Sequence, residues 1–262
     1  SRRQRQMCIR DSPIIDLFAG PGGLGEGFSS YTNGSLAPFQ IALSIEKDPV
    51  AHKTLKSRAL FRQFKKDIPE EFYEFIRSNE SGFPEYLDGK KFKKEIRNAE
   101  LEAWKLELGR QDKDIGNLIR ERLNGKDFVL IGGPPCQAYS LIGRSRMMKK
   151  KGLEKFESDE RHILYKHYLN VISEFEPAVF VMENVKGILS SKLNGEFVFG
   201  KILADLRNPK SAFNEGNGNS KKYTIYSFVV NEDPFDPFLP EMTIIEPKDI
   251  EPKDFIIKSE NF

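Results

Sequence analysis

The chain has 262 residues, enough for one large domain or for one domain and part of another. Its 41 Lys and Arg against 39 Asp and Glu leave a formal net charge of +2, so a nucleic-acid surface has to be local rather than spread over the molecule. Two cysteines and three histidines exclude a disulfide framework and a metal cluster, and no apolar run approaches the roughly 20 residues of a membrane span, which implies a soluble, cytoplasmic chain.

The leader SRRQRQMCIR contains Cys8, to which no role falls, and lacks the apolar segment of a secretory signal. Residues 13–18 (PIIDLF) form a short apolar run, predicted as the first strand, that ends in the glycine turn AGPGGLG before a helix over GEGFSS. Strand, glycine turn and helix are the parts that cradle a nucleotide-like ligand, because glycines let backbone approach closely and the helix start offers N–H groups. Gly20, Gly22 and Gly25 fit GxGxxG, a pattern of low specificity when it stands alone.

Residues 41–45 are predicted as a second strand delivering Glu46, 21 positions after Gly25. A carboxylate there suits a ribose, whose two hydroxyls it can accept from, and it equally suits a simple capping acid. Asp48-Pro49 then caps and opens a helix towards Leu60. Residues 61–67 are predicted as a third strand ending at Asp67-Ile68. Residues 70–124 are charge-rich with apolar side chains at helical spacing, and read as a helical insertion or a partner-binding surface.

The sequence DFVLIGGPPCQAYSLIG follows at residues 127–143. Its apolar run stops at Gly-Gly-Pro-Pro, which can neither continue a ladder nor start a helix, and leaves Cys136 at a strand's end. A lone cysteine beside an apolar strand is usually core, but the Pro-Pro pair and the polar Gln137 and Ser140 argue for a thiol presented to a crevice. Five cations follow in the next loop, among them Arg144 and Arg146; they suit phosphate contacts, a mobile lid or a solvated face.

Ser158-Asp159-Glu160 is read as the cap of a helix presenting Ile163, Leu164, Tyr168 and Ile172 on one face. Residues 178–182 (AVFVM) form a fifth strand delivering Glu183-Asn184, and a further helix is expected around 196–206. A glycine- and asparagine-rich loop, an alternating strand over 223–230 and a proline-rich extended tail complete the chain. Strands alternating with helices predict a doubly wound, mostly parallel α/β sheet with helices on both faces. The expected organisation is a catalytic domain over 12–207, carrying the 70–124 insertion, followed by an irregular segment over 208–262.

DLFAGPGG, IEKD, GGPPCQAYS and MENV, in this order, resemble the motifs of the C5-cytosine-specific DNA methyltransferases, across residues 14–187. The resemblance implies transfer of a methyl group from S-adenosyl-L-methionine to carbon 5 of a flipped cytosine in double-stranded DNA. By it Cys136 is the nucleophile that adds to carbon 6 and Glu183 the acid that protonates the ring. Phe18 stacks on the cofactor's adenine, Gly20, Gly22, Gly23 and Leu24 line its methionine part, and Glu46 with Lys47 takes the ribose. Asp67, Ile68, Pro135 and Leu164 complete the cofactor contacts, and Gln137, Ser140, Asn184, Arg144 and Arg146 meet the DNA.

Family members also carry a glutamine-arginine segment, a target-recognition region and a final asparagine-containing helix, none of which is visible in this sequence. The chain is therefore expected to be the N-terminal catalytic part of a restriction-modification methylase, completed by a C-terminal segment. Competing readings are a tRNA cytosine methyltransferase of the same family, an NAD-dependent oxidoreductase that shares GxGxxG and Glu46, and a non-enzymatic cofactor-binding fragment.

Overall fold

A computed structural model describes residues 12–32, 37–64, 67–78, 91–134, 164–183, 188, 192–193, 196–213 and 221–225. The chain divides into two compact units, residues 1–134 with 177–183 and residues 135–176 with 184–262.

The first unit holds a five-stranded, all-parallel sheet. Its strands are β1 (Ser12–Leu17), β2 (Phe39–Ile45), β3 (Ala103–Trp104), β4 (Val129–Gly132) and β5 (Val179–Met182), in the order β3-β2-β1-β4-β5. The order reverses at β1, so the carboxyl ends of β1 and its neighbours flank the crevice where such sheets take ligands. The helices of this unit are α1 (Gly23–Ser30), α2 (Pro49–Gln63), α3 (Glu70–Ser78), α4 (Lys93–Glu102) and α5 (Asp112–Leu123).

Two packed layers explain why these segments fold together. On one face Ile14, Ile41, Val129 and Ile131 pack with Leu24 and Phe28 of α1 and with Val181 of β5. Elsewhere Leu55, Ala59 and Leu60 of α2 share a core with Phe72 and Phe75 of α3 and with Ile96 and Ala99 of α4. A register shift opposite Ile14/Ile15 turns the end of β2 over, so Leu43 and Ile45 pair with Ile15 and Leu17.

The predicted third strand over 61–67 is corrected. Residues 61–63 are the last turn of α2, and the third strand is Ala103–Trp104, inside the stretch read as an insertion. Phe61 and Phe64 follow the helical spacing of Leu60 and pack against the α2–α4 core, so their apolar character serves a helix rather than a strand. The charge-rich stretch is helical as expected, but α3 and α4 share an apolar core with α2 and its strand completes the sheet.

The second unit contains α6 (Leu164–Phe175), a two-stranded antiparallel pair β6 (Lys192–Leu193) and β7 (Glu196–Phe197), α7 (Val198–Arg207) and a 3-10 turn at Pro209–Phe213. The helix expected around 196–206 thus begins two residues later, after a short strand. Residues 223–225 are not in a strand, and the rest of the alternating stretch lies outside the described residues. Tyr165 donates to the Asp205 carboxylate at 2.9 Å, tying α6 to α7. Burial, with the Glu176 charge behind it, pushes the Tyr223 hydroxyl up to about 12. No helix among the described residues is long and apolar enough to cross a membrane.

Candidate active site and its cofactor edge

The glycine turn leaves β1 through two left-handed residues, Phe18 (φ 57°) and Gly20 (φ 57°), and a third at Gly22 (φ 88°). A left-handed phenylalanine costs about 1–3 kcal/mol. The surroundings hold it there: the Ala19 N–H donates to the Ile45 carbonyl at 3.0 Å, and Ala19 itself accepts from the Gly22 N–H at 2.9 Å. Gly22 is the N-cap of α1, and a Cβ at that position would stand 2.8 Å from Leu55 Cδ1. Its positive φ and this close approach both demand glycine. Because no side chain caps α1, its first N–H groups are left to the turn, where the helix dipole favours an anionic group.

Glu46 braces the turn. Its Oε2 accepts from the Gly20 N–H at 2.8 Å and its Oε1 from the Asp48 N–H at 2.7 Å, so the acid links the glycine turn to the start of α2. The contact with the Asp48 N–H fits the bracing role, and each oxygen keeps a further acceptor position. Asp48 caps α2 as expected, accepting from the N–H groups of Val50 and Ala51 at 2.9 and 2.8 Å. Glu46 donates its own N–H to the Trp104 carbonyl at 3.1 Å, which brings the chain's single tryptophan to this edge. Lys47 points elsewhere and pairs with Glu107 at 3.2 Å.

The other half of the edge is the end of β4 and β5. The Glu183 N–H donates to the Gly132 carbonyl at 3.0 Å, continuing the ladder one residue past β5. The Glu183 side chain then lies across Gly133: a Cβ there would stand 2.9 Å from Glu183 Cγ and 3.1 Å from Oε1. The second glycine of GGPP is thus the seat of the acid from MENV. Glu183 is exposed in this structure.

Not every expected contact gathers at this edge. Asp67 and Ile68 follow α2 rather than a strand; Asp67 donates its N–H to the Phe64 carbonyl at 3.1 Å and Ile68 packs against the α2–α4 core. Leu164 opens α6 in the second unit. Pro135, Cys136, Gln137, Ser140, Arg144, Arg146 and Asn184 lie outside the described residues.

A set of buried charges beneath the glycine turn went unnoticed in the sequence. Arg62 on α2 pairs with Glu26 on α1 at 2.6 Å and with Glu102 on α4. Burial pushes the Glu102 carboxyl up, with Arg62 opposing the shift. Asp16, the penultimate residue of β1, is 1% exposed, and neither carboxylate oxygen has a partner among the described residues. Burial pushes it up to about 8, with Arg62 opposing and Glu183, Glu102 and Glu46 adding to the shift. The one sequence signal was an acid inside the apolar run PIIDLF. No group of three or more His, Cys, Asp and Glu suited to a metal occurs among the described residues.

The sequence pattern of the C-5 cytosine-specific DNA methylases matches residues 92–208. The chain is 32% identical over 238 residues to the type II methyltransferase M.Bpa9945I of Bacillus paralicheniformis, covering 84% of this chain and 48% of the relative. It is 29% identical over 192 residues to the type II methyltransferase M.DdeI of Desulfomicrobium norvegicum, covering 73% and 32%. A DNA (cytosine-5-)-methyltransferase of Aeropyrum pernix, M.ApeKI, is 32% identical over 123 residues, covering 44% and 25%. The chain therefore spans less than half the length of each of these relatives. The match over 92–208 and the likeness to M.Bpa9945I over 84% of its length make this chain a member of the C-5 cytosine-specific DNA methylase family.

Proposed function

We propose that this chain is the catalytic part of a restriction-modification DNA cytosine-5 methyltransferase. The observation that carries the reading is the contact of Glu183 with Gly133, which joins the acid of MENV to the turn that introduces the thiol of GGPPCQ. Family membership and relatives named as type II methyltransferases support the same chemistry over the tRNA, oxidoreductase and non-enzymatic alternatives.

The residues of the cofactor edge fit S-adenosyl-L-methionine. The uncapped start of α1 suits its carboxylate, the side-chain-free wall at Gly20 and Gly22 admits its methionine part, and Glu46 has acceptor positions left for the ribose. Phe18, Gly23 and Leu24 complete that lining. When bound, the cofactor supplies a methyl group on a sulfonium, which a carbon nucleophile can take.

Carbon 5 of cytosine is a weak nucleophile until the ring is saturated at carbon 6. The Cys136 thiolate adds there, and Glu183 delivers a proton to N3, so that charge does not accumulate on the ring. After the methyl has moved to carbon 5, loss of the carbon 5 proton to a base expels the thiolate and restores the aromatic ring. Asn184, Gln137, Ser140, Arg144 and Arg146 hold the flipped base and the phosphates around it.

Trapping tests the reading. A DNA duplex carrying 5-fluorocytosine, with S-adenosyl-L-methionine and with the C-terminal part of a relative supplied in trans, is expected to give a denaturant-resistant adduct. The adduct is lost in Cys136→Ser. An adduct that survives this substitution, or tRNA labelled in preference to duplex DNA, would overturn it.

A further inference from the structure

Asp16 has no place in the chemistry above, yet it occupies the most restrictive position near it. It pairs in register with Ser44 on β2 and Ile131 on β4, and Ile131 pairs with Val181. Side chains alternate along a strand, so Gly133 and Glu183, two residues beyond Ile131 and Val181, lie on the same face as Asp16 and one step nearer the carboxyl edge. From above, α1 closes the space: a Cβ at Gly25 would stand 2.9 Å from Asp16 Oδ2. The carboxyl thus sits in a slot between the sheet and the helix whose first turn forms part of the cofactor edge.

No hydrogen-bond partner reaches either oxygen among the described residues. Moving an ionised carboxylate out of water without a partner is far costlier than moving the neutral acid, so such a slot selects the protonated form. The charges that act on the slot come from several elements. Arg62 on α2 favours ionisation, but it is already engaged by Glu26 and Glu102, while Glu102 on α4, Glu46 after β2 and Glu183 after β5 all oppose it. One shared cation against three acids leaves the neutral form favoured.

We propose that Asp16 is a positioning residue of this site, an uncharged carboxylic acid that fills the slot under Gly25 and keeps negative charge out of the layer beneath Glu183. The inference rests on the function proposed above and deepens it. An anion in the slot would oppose the cofactor's carboxylate at the start of α1. An uncharged acid of the same shape does not.

The test uses the whole chain and two independent readouts. The first is the infrared C=O band of a protonated carboxylic acid in the ligand-free protein, followed from neutral to alkaline pH. It is expected in the wild type, lost with a midpoint near pH 8, and missing from Asp16→Asn. The second is calorimetric binding of S-adenosylhomocysteine. Wild-type affinity is expected to fall about tenfold once the slot ionises, with proton uptake on binding that peaks at about half a proton just above pH 8, whereas Asp16→Asn binds equally across the range. Absence of the infrared band at neutral pH overturns the proposal without reference to any ligand. A flat wild-type affinity, or a fall that persists in Asp16→Asn, overturns its role in the site. Failure of Asp16→Asn to fold also counts against it, because the neutral isostere is what the slot is said to accept. If S-adenosylhomocysteine binds at no pH while the band behaves as expected, the functional reading fails and the positioning role fails with it, leaving only the state of the acid.

Discussion

The two halves of the sheet edge are built differently. At the β1–β2 end the working surface is backbone: left-handed turn residues, an uncapped helix start and a carboxylate that holds two N–H groups. At the β4–β5 end it is one exposed side chain resting on a glycine. At the first end Gly22 is packed against Leu55 and Asp16 is buried, so the turn is held by a packed core. An exposed glutamate has rotamers to choose from. The glycine-turn half is therefore held by packing, and the Glu183 half by one side chain that can change rotamer.

The sharpest way to separate the halves is Glu183→Gln. It removes the acid that the proposed mechanism uses as proton donor without changing the shape, and on that mechanism is expected to slow methyl transfer to duplex DNA about 10²–10⁴-fold. S-adenosylhomocysteine affinity and the unfolding midpoint should stay within error of wild type; loss of either would mean that the acid half also supports the fold. The converse change is Gly22→Ala. It forces a Cβ against Leu55 in a left-handed residue, and strain and overpacking of about 1–3 kcal/mol each should appear as a lower midpoint in denaturant titrations.

Stability against pH gives a third contrast. Burial pushes Asp16 up to about 8 in the folded chain, against its ordinary 3.8 when unfolded, so the native state holds a proton that the unfolded state has released between these values. Its contribution is complete below about pH 4 and drains away as pH rises through about 8, at about 1.4 kcal/mol per pH unit. Denaturant titrations of the wild type and Asp16→Asn across this window should diverge in favour of the variant at higher pH and run parallel beyond it. The smallest effect belongs to the exposed pair of Lys47 with Glu107: Lys47→Ala should cost no more than about 1 kcal/mol, and the cost should shrink further in high salt.

Much of the fold was legible because its signals are local. The apolar runs at 13–18 and 41–45, the Asp48-Pro49 cap and the break at GGPP each follow from the backbone chemistry of a few residues. The strand placed at 61–67 failed because a short apolar run carries the same pattern in a buried helix end as in a strand, and only the neighbours of Phe61 and Phe64 decide between them. Trp104 escaped for the same reason: two residues make a strand only because β2 stands alongside.

By itself the sequence determined the kind of fold, the order of its motifs and the residue types brought to the carboxyl edge, since turn chemistry and hydrophobic period act within a few positions. Tertiary structure alone decided that Gly133 is the seat of Glu183, that Glu46 ties the glycine turn to α2, and that Asp16 is sealed from water. Contact and desolvation depend on what arrives from distant parts of the chain, and no spacing along it records that.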